Sequence, residues 1–157
     1  MRTTAKVDYA VRAVVELARS QPTDGSRGRP VKGHDVAEAQ GIPLTFLESI
    51  LAELKRGGIV ASQRGSEGGY WLARPAASVS VADVIRAVEG PLADVRGVRA
   101  EALEYGPGLD ALQRMWVAVR ANLRGVLEQV SAADLRDGTL PADVDALAAE
   151  PDAWQAH

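Results

Sequence analysis

Two groups of residues carry polar or cationic side chains at spacings that could do chemistry. In the first, Thr45 and Ser49 stand four residues apart, with Glu48 beside them and Lys55 and Arg56 at the far end of the same stretch. On a helix that spacing puts two small hydroxyls on one face near the N-terminus, where a helix docks in a DNA major groove. Glu48 could accept a hydrogen bond from a cytosine amino group, or could equally be a solvated or structural carboxylate. Lys55 and Arg56 suit phosphates, or simply the helix dipole. The second group is Arg64-Gly65-Ser66-Glu67-Gly68-Gly69. A guanidinium here would gain from the concentrated negative potential of a minor groove; a solvated surface arginine is the bland alternative.

The glycines of the second group do not make a phosphate loop. That motif ends in Lys followed by Ser or Thr and opens a helix, whereas these glycines lie between two β-prone runs. Catalytic chemistry has little to work with. The chain of 157 residues holds no cysteine and only two histidines, His34 and His157, so thiolate nucleophiles, disulfides and thiolate-bound metals are excluded. Asp8 and His34, far apart in sequence, do not define a metal site. No carboxylate pair or Ser–His arrangement stands out either, and an enzyme is not expected.

The elements that must position these residues follow from periodicity. Val7, Ala10, Val11, Val14, Leu17 and Ala18 recur at helical spacing over residues 4–19. Residues 21–30 form a loop rich in Gly, Pro and Arg. A short helix over 34–40 ends at Gly41, and a third opens at Pro43 and runs to Arg56, its apolar face being Leu44, Leu47, Ile50, Leu51 and Leu54. Residues 59–63 and 70–73 flank the glycine-rich turn as a hairpin. A hairpin directly after a helix-turn-helix is a wing. Ser80 and Asp83 cap a helix through Glu89, and Ser131 with Asp134 form a second cap. Leu109, Leu112, Trp116, Val119, Leu123, Val126 and Val130 are spaced alternately three and four residues apart, a heptad seam that predicts a long dimerisation helix. Trp116 on that seam is read as core or interface rather than as a ligand-stacking ring.

Charge divides along the chain. The total is −3, but residues 1–75 hold eleven Lys and Arg against eight Asp and Glu, and residues 76–157 hold seven against thirteen. A basic front half is the half that could face a polyanion. No apolar run is long enough to cross a bilayer, and the start lacks the apolar stretch of a secretory signal, so a cytoplasmic protein without membrane contact is expected.

A set of local motifs resembles a known family. Asp8-Tyr9-Ala10-Val11-Arg12, Phe46-Leu47-Glu48, Leu51-Ala52-Glu53-Leu54, Gly58-Ile59-Val60 and Arg64-Gly65 are among them. So are Gly68-Gly69-Tyr70, Leu72-Ala73-Arg74-Pro75 and the run from Val81-Ala82-Asp83-Val84-Ile85 to Glu89-Gly90-Pro91. Over about residues 1–135 the chain looks like the IscR/NsrR/CymR family of bacterial winged-helix regulators (the Rrf-two family). The resemblance implies a homodimeric DNA-binding repressor acting on a partly palindromic operator. It places base contacts on Thr45, Glu48 and Ser49 with Phe46 beside them, Arg64 in the minor groove, and phosphates against Lys6 and the backbone of Gly65 and Ser66. Many such regulators carry three cysteines between the Glu-Gly-Pro and the long helix, holding an iron–sulfur cluster. Here that stretch has none, which implies no cluster and no cofactor, with Asp8 and His34 as vestiges of a ligand set. Glu67 also sets an acid where proline and glycine are usual.

The fold class expected is therefore mostly α with a small β wing (α+β). Its parts are a winged-helix DNA-binding domain (1–75), a connecting helix and sensor segment (76–106), a dimerisation helix (107–135) and an acidic flexible tail (136–157). The expected partners are double-stranded DNA, a second copy, and a small-molecule effector or protein partner sensed near 91–107. A winged helix serving protein contact, with DNA binding lost or secondary, is the alternative.

Overall fold

Helix α1 (Ala5–Arg19) starts where the Thr4 hydroxyl accepts from the Val7 N–H at 3.3 Å, and it buries Val7, Ala10, Ala13, Val14, Leu17 and Ala18. Alternating alanine with larger side chains along that stripe lets neighbouring helices approach closely on several sides. The computed structural model describes residues 3–155. Helix α2 (Gly33–Gln40) stops at Gly41, whose left-handed φ of 61° turns the chain at little steric cost. Pro43 then leads into α3 (Leu44–Arg56), which buries Leu47, Ile50, Leu51 and Leu54. Leu44, expected on the same apolar face, is instead 39% exposed, because it sits in the first turn ahead of the packed stretch.

Strands β1 (Val60–Gln63) and β2 (Gly69–Leu72) pair antiparallel, with Val60 opposite Leu72 and Gln63 opposite Gly69. Val31 adds a bridge to the outer side of β2, exchanging backbone bonds with Tyr70 at 2.9 and 2.7 Å. Helix α4 (Val81–Glu89) follows, then α5 (Asp110–Leu127), α6 (Ala132–Asp137) and α7 (Ala142–Ala149). Ser80 and Asp83 form a complete capping box for α4, and Ser131 and Asp134 form one for α6. The two helix starts lie side by side: Val81 N–H donates to the Val130 carbonyl at 2.9 Å, and Ala132 N–H to Val79 at 2.8 Å.

That pairing brings α6 back onto α1, beside α4. Val79, Val84, Val88 and Ala132 consequently belong to the same core as the helices of the N-terminal half. The boundary expected at residue 75 therefore runs through a single packed core.

Three expectations need correction. The long helix ends at Leu127, and Val130 lies beyond it, 5% exposed and held by its carbonyl bond to Val81. Val130 is part of this chain's own packing and not of an open seam. Leu109, at the other end, precedes the helix as its N-cap and is 48% exposed. The tail, expected to be loose, contains α7 and a 3-10 turn, Pro151–Trp154. Alanine-rich sequence after Pro141 favours the helix, Asp143 and Asp145 suit its N-terminal dipole, and Val144 is buried.

Between α4 and α5 the chain makes a tight two-residue hairpin. Val95 and Val98 exchange backbone bonds at 2.9 and 3.0 Å across Arg96 and Gly97, both at positive φ.

Candidate nucleic-acid interface

Helix α3 presents an open polar face. Thr45, Phe46, Glu48 and Ser49 are all exposed, while Leu47, Ile50 and Leu51 between them point into the core. The heptad-like interleaving thus delivers the two hydroxyls and the carboxylate to one solvent-facing surface near the helix start. Phe46 is fixed from below: its ring meets Tyr9 edge-on, centroids 5.7 Å apart, and the Arg12 guanidinium lies 5.5 Å from the Tyr9 ring. Arg12 also donates to the Gln40 carbonyl, which ties α1 to the end of α2.

The hairpin turn is held by sterics as well as by bonds. A Cβ on Gly68 would lie 2.1 Å from the Gln63 carbonyl oxygen, so the chain can reverse there only with glycine. Arg64, Gly65, Ser66 and Glu67 form its exposed tip. Lys32, just before α2, donates to the carbonyls of Gly65 at 3.1 Å and Ser66 at 2.5 Å. This clamp fixes the tip relative to the helix-turn-helix. On the flank, the Arg27 guanidinium stacks 3.9 Å over the Trp71 ring. At the base, Lys55 donates to Ser62 at 2.7 Å and joins the end of α3 to β1.

Sequence reasoning missed Lys32 and Arg27. The available signal is the cluster of Arg27 and Arg29 in the loop of residues 21–30 with Lys32 just after it. Lys6 was expected at a phosphate. It is spent internally, pairing with Glu53 at 2.7 Å and donating to the Val88 carbonyl at 2.7 Å, so its charge joins α1, α3 and α4.

The dimerisation residues are brought together only in part. Leu112, Trp116, Val119, Leu123 and Val126 lie along α5 and are half-buried, and no residue of α5 is fully buried. Leu123 is turned toward its own chain, lining a recess of about 320 Å³ with Val7, Ile85, Leu92 and Leu127. Met115 and Val117 add further exposed apolar surface on α5.

Comparison with known proteins accounts for this arrangement. Residues 3–138 match the Rrf2 family, described as iron-dependent transcriptional regulator. The chain belongs to the Rrf2 family. It is 47% identical over 148 residues to the Mycobacterium tuberculosis protein Rv1287, named for an HTH-type transcriptional regulator, with 94% of this chain and 89% of that protein covered. It is 32% identical to the Escherichia coli HTH-type transcriptional regulator IscR, covering 92% of this chain and 85% of the relative. Among solved structures, CymR, the global cysteine regulator of B. subtilis, superposes with a TM-score of 0.69 at 27% identity, covering 88% of this chain and 98% of CymR. IscR of T. potens gives 0.65 at 28% identity, covering 100% and 93%. The Rrf2 chain is thus a winged-helix transcriptional regulator that binds DNA, and not an enzyme. Among the described residues, no helix is long and apolar enough to cross a membrane.

The iron in the family's description does not fit the donors of this Rrf2 chain. There is no cysteine, and among the described residues no three His, Asp or Glu side chains gather where a metal could sit. Asp8 is paired with Arg12 at 3.3 Å. His34 is largely exposed, its Nδ1 lying 3.7 Å from an Asp35 oxygen and 3.9 Å from a Glu38 oxygen. These two residues are engaged locally and separately.

Proposed function

We propose that this Rrf2 regulator is a homodimeric repressor of a partly palindromic operator, reading bases through α3 and the minor groove through Arg64. The observation that carries the reading is the open face of α3 beside a wing tip clamped by Lys32. Thr45, Glu48 and Ser49 would contact base edges, with Phe46 beside them. Gly65 and Ser66 would meet phosphate through backbone N–H groups, their carbonyls already being taken by Lys32. Lys6 would act as a support, since its ammonium is committed to Glu53 and Val88. Leu112, Trp116, Val119 and Val126 would form the contact between copies, extended by Leu109. The signal would be a small molecule or protein partner, because the donor set does not fit a cluster.

The test is fluorescence anisotropy of the purified protein on DNA from upstream of its own gene and on scrambled DNA, at two salt concentrations. Tight binding to the first that weakens steeply with salt is the expected result. Equal, weak binding to both would overturn operator recognition and favour a winged helix serving protein contact.

A further inference from the structure

We propose that the recess lined by Arg86, Gly90, Pro91, Leu92, Arg99 and Arg120 binds a small polyanion, carboxylate or phosphoryl in kind, that serves as the regulator's effector. The recess measures about 290 Å³, enough for a compact metabolite. Its three guanidinium groups come from three separate places: the last turns of α4, the stretch before the short 3-10 turn at Ala100–Ala102, and the middle of α5. Local helix electrostatics do not explain such a convergence, and mutual repulsion opposes it unless counter-charge is supplied.

The protein supplies only part of that counter-charge. Arg86 pairs with Glu128 and lies 3.6 Å from Asp83, and Arg120 pairs with Glu101. Both carboxylates of Arg86 are shared: Glu128 also binds Arg124 at 3.0 Å, and Asp83 binds Arg74 at 2.9 Å. The Arg99 guanidinium makes no hydrogen bond or ion pair among the described residues, and acts on Glu101 only through its field. Three guanidinium groups thus line a recess whose own lining carries no carboxylate, and that of Arg99 has no paired anion among the described residues. Glu128 is held below the usual carboxylate range by its bonds to Arg124 and then Arg86, so it stays charged and adds no proton-dependent switch. Glu89 and Asp94 line the adjoining recess, which shares Pro91 and Leu92. The planar fork of arginine matches the paired oxygens of a carboxylate or phosphate, which sets the ligand class.

A route from this recess to α3 is contiguous. Arg86 is on α4 two residues before Val88, whose carbonyl accepts from Lys6, and Lys6 pairs with Glu53 on α3. An anion that competes with Glu128 for Arg86 therefore acts on the helix that Lys6 ties to α3. A ligand shifts DNA affinity only if it binds the two states differently, and rearrangement of the shared carboxylates supplies that difference.

The effector role rests on the DNA-binding reading, whereas the anion site does not, so the two are measured separately. Calorimetric titration of the full chain without DNA, using inorganic pyrophosphate in one arm and citrate in the other, should give saturable binding of at least one probe. Pyrophosphate alone would mark a phosphoryl ligand, and citrate alone a polycarboxylate. Arg99→Ala should weaken that binding at least tenfold, and Arg114→Ala, an exposed arginine of α5 outside the recess, should leave it unchanged. No saturable binding by either probe, or equal binding by Arg99→Ala, overturns the site. Adding the bound probe to the operator titration should then shift DNA affinity at least threefold. An unchanged operator affinity overturns the effector role and leaves the site. Weakened DNA binding by Arg99→Ala with no probe present would make Arg99 a contact to DNA phosphate and overturn the proposal.

Discussion

Helix α1 buries six of its fifteen residues within the chain, whereas α5, three residues longer, buries none. Both are amphipathic, so periodicity alone does not separate them. The difference lies in what surrounds each stripe. Helix α1 is enclosed by α2, α3, α4 and α6, and its small residues allow all four to approach. Helix α5 touches mainly the short 3-10 turn before it and one side of α4, leaving Met115 and Val117 exposed and its seam half-covered. A wide stripe closes a core inside one chain, and a narrow heptad seam asks for a second helix of its own kind. In the proposed dimer that second helix comes from another copy.

The largest expected effect breaks the α5 side of this contrast. Val119→Lys sets a charge in the seam and, unlike Leu123, does not line the recess over Val7 and Ile85. Sedimentation should show monomers at concentrations where the native chain is dimeric, with helical content by circular dichroism retained. Losing the second half-site should then lower operator affinity on the order of 100-fold. A stable Val119→Lys dimer would place the interface on another face of α5.

Two further substitutions sharpen the α1 side, where the core carries the reading surface. Arg64→Ala should cost about 1–3 kcal/mol of specific binding, or roughly 5- to 150-fold in affinity, while the dimer persists. Unchanged operator affinity would remove Arg64 from the groove. Lys32→Ala should weaken binding less, by about threefold, because it loosens the wing tip without removing a contact to DNA. Hydrogen exchange should quicken at Gly68, whose N–H donates to the Gly65 carbonyl at 3.1 Å, and an unaltered rate there would show that the two lysine bonds do not hold the tip.

Elements with strong local chemistry were legible in the sequence. Ser80 and Ser131 cap the helices expected of them, Gly41 ends α2, and the glycine-rich turn separates paired strands. Tertiary partnership was not legible. That Val130 is buried follows from a backbone bond to Val81, a residue 49 positions earlier, and nothing in heptad spacing encodes it. The commitment of Lys6 depends on Glu53 and Val88 arriving from two other helices. Lys32 and Arg27 were hidden because a loop's composition says where the chain turns, not which carbonyl or ring its cations reach. The acidic, alanine-rich stretch after Asp137 reads as a loose tail, although the same residue types favour a short helix once Val144 finds cover.

The smallest effect concerns an acid on the basic half. Glu67 is exposed at the wing tip between Gly65 and Gly68, next to the backbone proposed to meet phosphate. A carboxylate held near DNA repels it, but exposure and salt weaken the repulsion: two unit charges 4 Å apart interact by about 1 kcal/mol in water before screening. Glu67→Gln keeps the shape of the side chain and removes the charge, so operator affinity should rise by about two- to fivefold at low salt. The gain should shrink as salt is raised, since its origin is electrostatic. Anisotropy at two salt concentrations reads both numbers. A fall in affinity would instead mean that Glu67 orients Arg64 or its neighbours, and that the acid is part of how this wing binds.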